Sequence, residues 1–222
     1  MRLLNPIFKP LEKYTLPTAV IQLENSVPIA QGRSRLVYVH PENSGMLIKV
    51  QRMHSSNGPA LRTLRRKLRP SGSYKSFIKE IVEYHRLVRN FESKKLPIPA
   101  IHGFIRTSHG LGLLVDAVKD EAGDGLAPTL GSLTAAGTTP PKLIPSLEEL
   151  WKNLYELRPS IGDLHPGNIV LGRYDGRRGL FVVDGLGRSV VFPVDSWFRQ
   201  ENHRRLKVAY ASLLEELGSR EG

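Results

Sequence analysis

The chain has 222 residues, enough for one well-buried domain or for two small lobes that share a cleft, and too few for three domains. It lacks cysteine, which excludes disulfides and thiolate metal sites, and its 40% hydrophobic and 24% charged residues are the mixture of a folded chain, not of a disordered one. Thirty-two Lys and Arg against 21 Asp and Glu leave a formal charge of +11, which favours an anionic partner (nucleotide phosphates, nucleic acid, or an acidic protein or membrane surface) without choosing among them.

The opening MRLLNPIFKPLEKY interrupts its apolar residues with Asn5, Pro6, Lys9 and Pro10, and no later apolar run reaches membrane-spanning length. A cytoplasmic protein without a membrane span is expected. TAVIQL, RLVYVH and MLIKV are short and rich in β-branched residues, with turn material at residues 31–32 and 41–45 between them, so they read as strands. A basic segment follows, with Arg62, Arg65, Arg66, Lys67 and Arg69. It is either a solvated face or a contact for an acidic partner. In SYKSFIKEIVEYHRLVRNF the residues Phe77, Ile81, Tyr84, Leu87, Val88 and Phe91 recur at helical spacing. IHGFIR and LGLLVDAV then predict a hairpin turning at Ser108, His109 and Gly110.

Residues 119–139 shift to Asp, Gly, Ala, Thr and Pro, the composition of a connection between lobes. SLEELWKNLYEL predicts a helix with Ser146 as N-cap and Glu149 in the capping-box position. VLGRYDGRRGLFVVDG predicts two strands joined by a turn at residues 174–179, and a last helix covers about residues 195–217. The expected class is α+β: a β-rich N-lobe to about Val118, then residues 119–222 as connector and reduced helical C-lobe.

Four separated features fit one chemistry. Lys49 lies in an apolar strand, where an unpaired ammonium is costly, so it either finds a carboxylate or reaches water from an edge strand. Glu80 follows on the next helix, alike in type to its neighbour Glu83. In IGDLHPGNI, Asp163 and Asn168 stand five positions apart, as the proton-accepting aspartate and metal-holding asparagine do in a kinase catalytic loop, with Pro166 and Gly167 tightening the turn. The plainer alternative is a turn in which both side chains bond local backbone. Last, Val182, Val183, Asp184 and Gly185 form a strand running into an aspartate, the form of a metal-holding D-F-G segment with Leu186 in place of the aromatic residue and a glycine interposed. The order of all four is more telling than any one of them.

IGDLHPGNI resembles the H-G-D-L-H-P-G-N loop of the aminoglycoside phosphotransferase and choline kinase group, within the protein-kinase-like superfamily. More closely, GRSRLVYVHPENSGMLIKV, FIKEIVEYHRL, GLLVDAVKDEAGDGLAPTL and VVDGLGRSVVFPVDSW resemble the bacterial YrbL-like family of PhoP-regulatory-network proteins, from about Pro28 to Arg205. The resemblance implies a two-lobed kinase-like fold binding ATP and Mg. Lys49 would contact the nucleotide's α and β phosphates and pair with Glu80, Asp163 would be the catalytic base, and Asn168 and Asp184 the metal ligands. His165 would take the place often filled by lysine in protein kinases, or serve the turn.

Departures from the pattern matter too. Ile161 stands where the loop usually has histidine, and of a G-x-G-x-x-G loop only Gly32 is present, followed by Arg33 and Arg35, whose charge would replace part of what backbone amides supply. Little chain follows Asp184 for an activation loop and substrate-docking helices, so an ordinary protein kinase is not expected. Phosphoryl transfer to an unknown acceptor is the expected function. A pseudokinase-type regulatory module and a basic nucleic-acid-binding protein are the alternatives.

Overall fold

A computed structural model describes residues 19–32, 34–52, 74–91, 96–138, 143–187 and 195–218. The protein is mixed α+β. Its elements in chain order are β1 (Ala30–Gln31), β2 (Arg35–His40), β3 (Asn43–Gln51), α1 (Lys75–Asn90), β4 (Ile101–Thr107), β5 (Gly110–Asp116), α2 (Leu130–Ala135), α3 (Leu143–Leu157), β6 (Ile169–Tyr174), β7 (Arg177–Val182) and α4 (Asp195–Gly218).

Five antiparallel strands form the first sheet, in the order β1-β2-β3-β5-β4. In β3, Ile48 and Val50 point to one face and pack with Leu23 and Tyr38, while Leu47 turns to the other face and the main core. That alternation follows from the two-residue period of a strand, and it sends Lys49 to the α1 side. Helix α1 closes this side with Phe77 and Leu87, both fully buried. The main core continues through Leu113 and Val115 of β5 into α3, the β6–β7 hairpin and α4. Trp151 of α3 and Tyr210 of α4 stack with ring centroids 4.4 Å apart.

The sequence expectations hold for β2, β3, α1, both hairpins and α4. Of TAVIQL, the described residues 19–23 do not form a strand: among them Ile21 makes a single parallel bridge, to Thr107. The turn after β2 is shorter than expected, since β3 starts at Asn43, and the last hairpin turns on Asp175 and Gly176 alone. The connection after β5 contains a short helix, α2, capped by Thr129 Oγ1, which accepts from Ser132 N. Ser146 is not an N-cap, because α3 already begins at Leu143. Its first turn accommodates Pro145, whose missing N–H has no partner to lose there.

Candidate functional site

Lys49 Nζ donates to Glu80 Oε2 at 3.1 Å and to Val183 O at 2.7 Å. Lys49 is 5% exposed and Glu80 1%. β3 lies between β2 and β5, so the lysine has no edge from which to reach water, and the carboxylate of α1 is its compensation. Glu83, one turn further along α1, is buried as well, but its task differs. Glu83 Oε1 accepts from Ser160 N at 2.7 Å and pairs with Arg86 Nη2 at 2.6 Å, which ties α1 to the start of the loop at residues 161–168.

In that loop Pro166–Asn168 form one 3-10 turn. His165 Nδ1 accepts from Gly167 N, so His165 caps the turn. Asn168 Nδ2 donates to Asp163 O at 3.0 Å, and Asn168 O accepts from Val183 N at 2.9 Å. Because a backbone carbonyl only accepts, the amide must present its nitrogen to Asp163, leaving its oxygen as the end suited to a cation. The Asp163 side chain is 73% exposed, with His165 Nε2 3.8 Å from its Oδ2.

The segment at residues 183–187 zips onto this loop. Gly162 N donates to Gly185 O, Gly187 N donates to Ser160 O, and Ile161 bridges Leu186. Both glycines adopt left-handed backbone, φ +87° at Gly185 and +78° at Gly187. A Cβ at Gly185 would stand 2.3 Å from Asp163 O, so only glycine permits the two loops to approach this closely.

Asp184 lies at the meeting point. Its Oδ1 accepts from Gly185 N at 2.7 Å and from Arg35 Nη1 at 2.6 Å, with Lys49 Nζ at 3.9 Å. Arg35 Nη1 also contacts Glu80 Oε1. Burial is the largest single influence on the Asp184 carboxyl and opposes ionisation. Lys49, Arg35 and the Gly185 N–H together outweigh it and hold the group below its ordinary range.

Lys49, Glu80 and Asp184 thus meet in one cluster, and Asn168 and Asp163 flank it through the paired loops. Gly32 is exposed near the start of β2, where its N–H donates to Arg35 O. Arg33 and the basic segment at residues 62–69 lie outside the described residues. Sequence reasoning named Arg35 only as a source of charge and missed that it bonds Asp184; it also missed the distinct anchoring task of Glu83. The signal for Glu83 was its place three residues after Glu80, on the same helix face.

Among the described residues no group of three or more His, Asp or Glu could hold a metal. Asn168 and Asp184 alone fit a Mg ion that takes its remaining ligands from phosphate oxygens and water, the usual arrangement for this cation at nucleotides. Asp184, held ionised, is an oxygen donor of the kind such a cation takes, and the Lys49 ammonium 3.9 Å from its Oδ1 is a positive charge beside it.

The fold and site therefore define a mixed α+β protein with a buried Lys–Glu pair beside an ionised aspartate and an Asp-to-Asn loop. The chain belongs to the family of the PhoP regulatory network protein YrbL, whose model matches residues 21–218. It is 27% identical over 183 residues to the uncharacterized protein YrbL of Escherichia coli K12, covering 80% of this chain and 79% of that one, and matches the uncharacterized protein YrbL of Shigella flexneri with the same identity and coverage. Among solved structures it is similar to monomeric WbdD, with a TM-score of 0.47 and 16% identity, over 83% of this chain and 37% of that one.

Proposed function

We propose that this cluster is the phosphate end of a kinase-like cleft between an N-lobe, residues 1–118, and a reduced C-lobe, residues 119–222, and that it binds ATP with Mg and transfers a phosphoryl group to a further acceptor. The observation that carries the reading is the buried Lys49–Glu80 pair with Asp184 beside it. Three groups from β3, α1 and the end of β7 converge there at a cost that packing alone would not repay.

In this reading Glu80 and Val183 O orient the Lys49 ammonium toward the phosphates, and Gly32 and Arg33 would contribute to binding them. Asn168 and Asp184 hold the metal, which neutralises charge on the phosphates. Asp163 sits in solvent at the loop surface, where it orients an acceptor hydroxyl and takes its proton.

Mg-ATP should raise the melting temperature of the wild-type protein. A ligand that binds only the folded state contributes about 2.7 kcal/mol at a hundred times its dissociation constant. Absence of any shift with millimolar purine nucleotide and Mg would refute the nucleotide site.

A second reading, nucleotide binding without turnover, is favoured by Ile161, which packs against the main core instead of supporting Asp163 through a polar side chain. The Asp163 and Asp184 variants described below separate the two. Nucleic-acid binding through residues 62–69 keeps its own test: oligonucleotide affinity that falls steeply with salt as counterions are released. No described helix is long and apolar enough to cross a membrane.

A further inference from the structure

Arg35 opens β2, and its Nη1 touches both carboxylates of the cluster, Glu80 Oε1 and Asp184 Oδ1. Its guanidinium carbon lies 5.1 Å from the Phe77 ring centroid, so α1 supplies an aromatic face as well as a carboxylate to hold it. Asp184 Oδ1 already accepts from Arg35 and from Gly185 N. A cation approaching this oxygen therefore meets a positive charge already seated there.

Formal charges in the cluster balance, Arg35 and Lys49 against Glu80 and Asp184. A bare divalent ion would bring two uncompensated charges into a partly buried site, beside a guanidinium already bonded to Asp184 Oδ1. A metal–polyphosphate complex carries its own anionic oxygens. Guanidinium binds phosphate in the same forked geometry as carboxylate, so Arg35 can leave Asp184 without losing an anionic partner.

We infer that Arg35 is an exchangeable counter-cation. It occupies Asp184 while the site is empty and passes to the phosphates when a metal–polyphosphate arrives, so the site takes metal together with polyphosphate and not before it. The inference rests on the nucleotide reading above and adds to it an order of binding and a selectivity against free metal.

The test is Mn²⁺ binding without nucleotide, followed by electron paramagnetic resonance, together with Mg-ATP binding by calorimetry, in wild type, Arg35→Gln and Arg35→Lys. Removing a unit positive charge this close to the metal oxygen should tighten Mn²⁺ by about tenfold or more in Arg35→Gln and weaken Mg-ATP, with Arg35→Lys closer to wild type in both. Unchanged Mn²⁺ affinity in Arg35→Gln, with wild type still binding Mg-ATP, overturns the counter-cation role and leaves the nucleotide site standing. Tighter Mn²⁺ with undiminished Mg-ATP affinity overturns the transfer to phosphate. Wild type that binds no Mg-ATP at all removes the nucleotide reading and this inference with it. Should Arg35→Gln not fold, ¹⁵N-arginine resonances of the wild type decide: the Arg35 side-chain signal should move with Mg-ATP and stay with Mg²⁺ alone, and a signal that ignores Mg-ATP refutes the exchange.

Discussion

Lys49 and Glu80 meet at 3.1 Å across the gap between a central strand and the helix that covers it, and both are withdrawn from solvent. Removing one partner of a buried pair typically costs about 3–5 kcal/mol, because the other charge remains. In Lys49→Met, Arg35 still contacts Glu80, so destabilisation at the lower end of that range is expected in denaturant unfolding. The variant should also lose most of the stabilisation that Mg-ATP gives wild type. A stable Lys49→Met protein with an unaltered Mg-ATP shift would show that the lysine serves packing alone.

Asp163 and Asp184 should separate cleanly. Asp184 sits inside the cation cluster, whereas the Asp163 carboxylate is exposed at the loop surface. Asp184→Asn should weaken the thermal response to Mg-ATP. Asp163→Asn should leave that response almost intact and lower turnover by on the order of a hundredfold or more, measured as slow ATP hydrolysis or self-labelling from γ-labelled ATP. Wild type that binds Mg-ATP yet shows no transfer above the Asp163→Asn background would establish binding without catalysis.

Gly185→Ala combines a left-handed backbone with a Cβ 2.3 Å from Asp163 O. Because the obstacle is backbone, no rotamer relieves it, and the variant should lose more than about 1 kcal/mol of stability. Gly176, also left-handed but with open space around its Cβ position, is the control, and alanine there should cost less. Equal losses at the two positions would count against the close contact of the loops.

Two groups predict opposite limbs of the pH–stability profile. Asp184 ionises below its ordinary value of 3.8 in the folded state, so its contribution is complete above that value and is lost as pH falls through the folded one. The melting-temperature advantage of wild type over Asp184→Asn should therefore shrink below about pH 4. Tyr174 is pushed up from 10.0 to about 12, with burial as the largest cause. Its phenol donates to Asp116 Oδ2 and accepts from Ala100 N, joining β6 to the first sheet. Here the contribution is complete below pH 10.0 and is lost as pH rises toward about 12. Tyr174→Phe should cost about 1–3 kcal/mol at neutral pH by leaving its partners unsatisfied, and should flatten the alkaline limb. An unchanged alkaline limb would argue against this assignment.

What the sequence determined by itself was local and periodic. Alternation of β-branched residues placed β2, β3 and the hairpins, and helical spacing placed α1, because burial on one side of an element imprints its period on the chain. The offset between Asp163 and Asn168 was legible for a similar reason, since one tight turn sets it. TAVIQL reads as a strand but is not one over its described residues 19–23, because strand-forming residues need a partner along their length and among these only Ile21 finds a bridge, to Thr107. Ser146 was misread because a good capping residue does not start a helix that packing has already begun at Leu143. The family resemblance implied Glu80 as the partner of Lys49, but the residues themselves did not separate it from Glu83; the folded structure made that choice and revealed that Arg35 rests on Asp184. Both are contacts between elements distant in the chain, and the identities of the charges do not reveal which of them share a buried site. The choice is made by the direction in which β3 and α1 present their side chains to one another, and by the cost of leaving any of these charges alone.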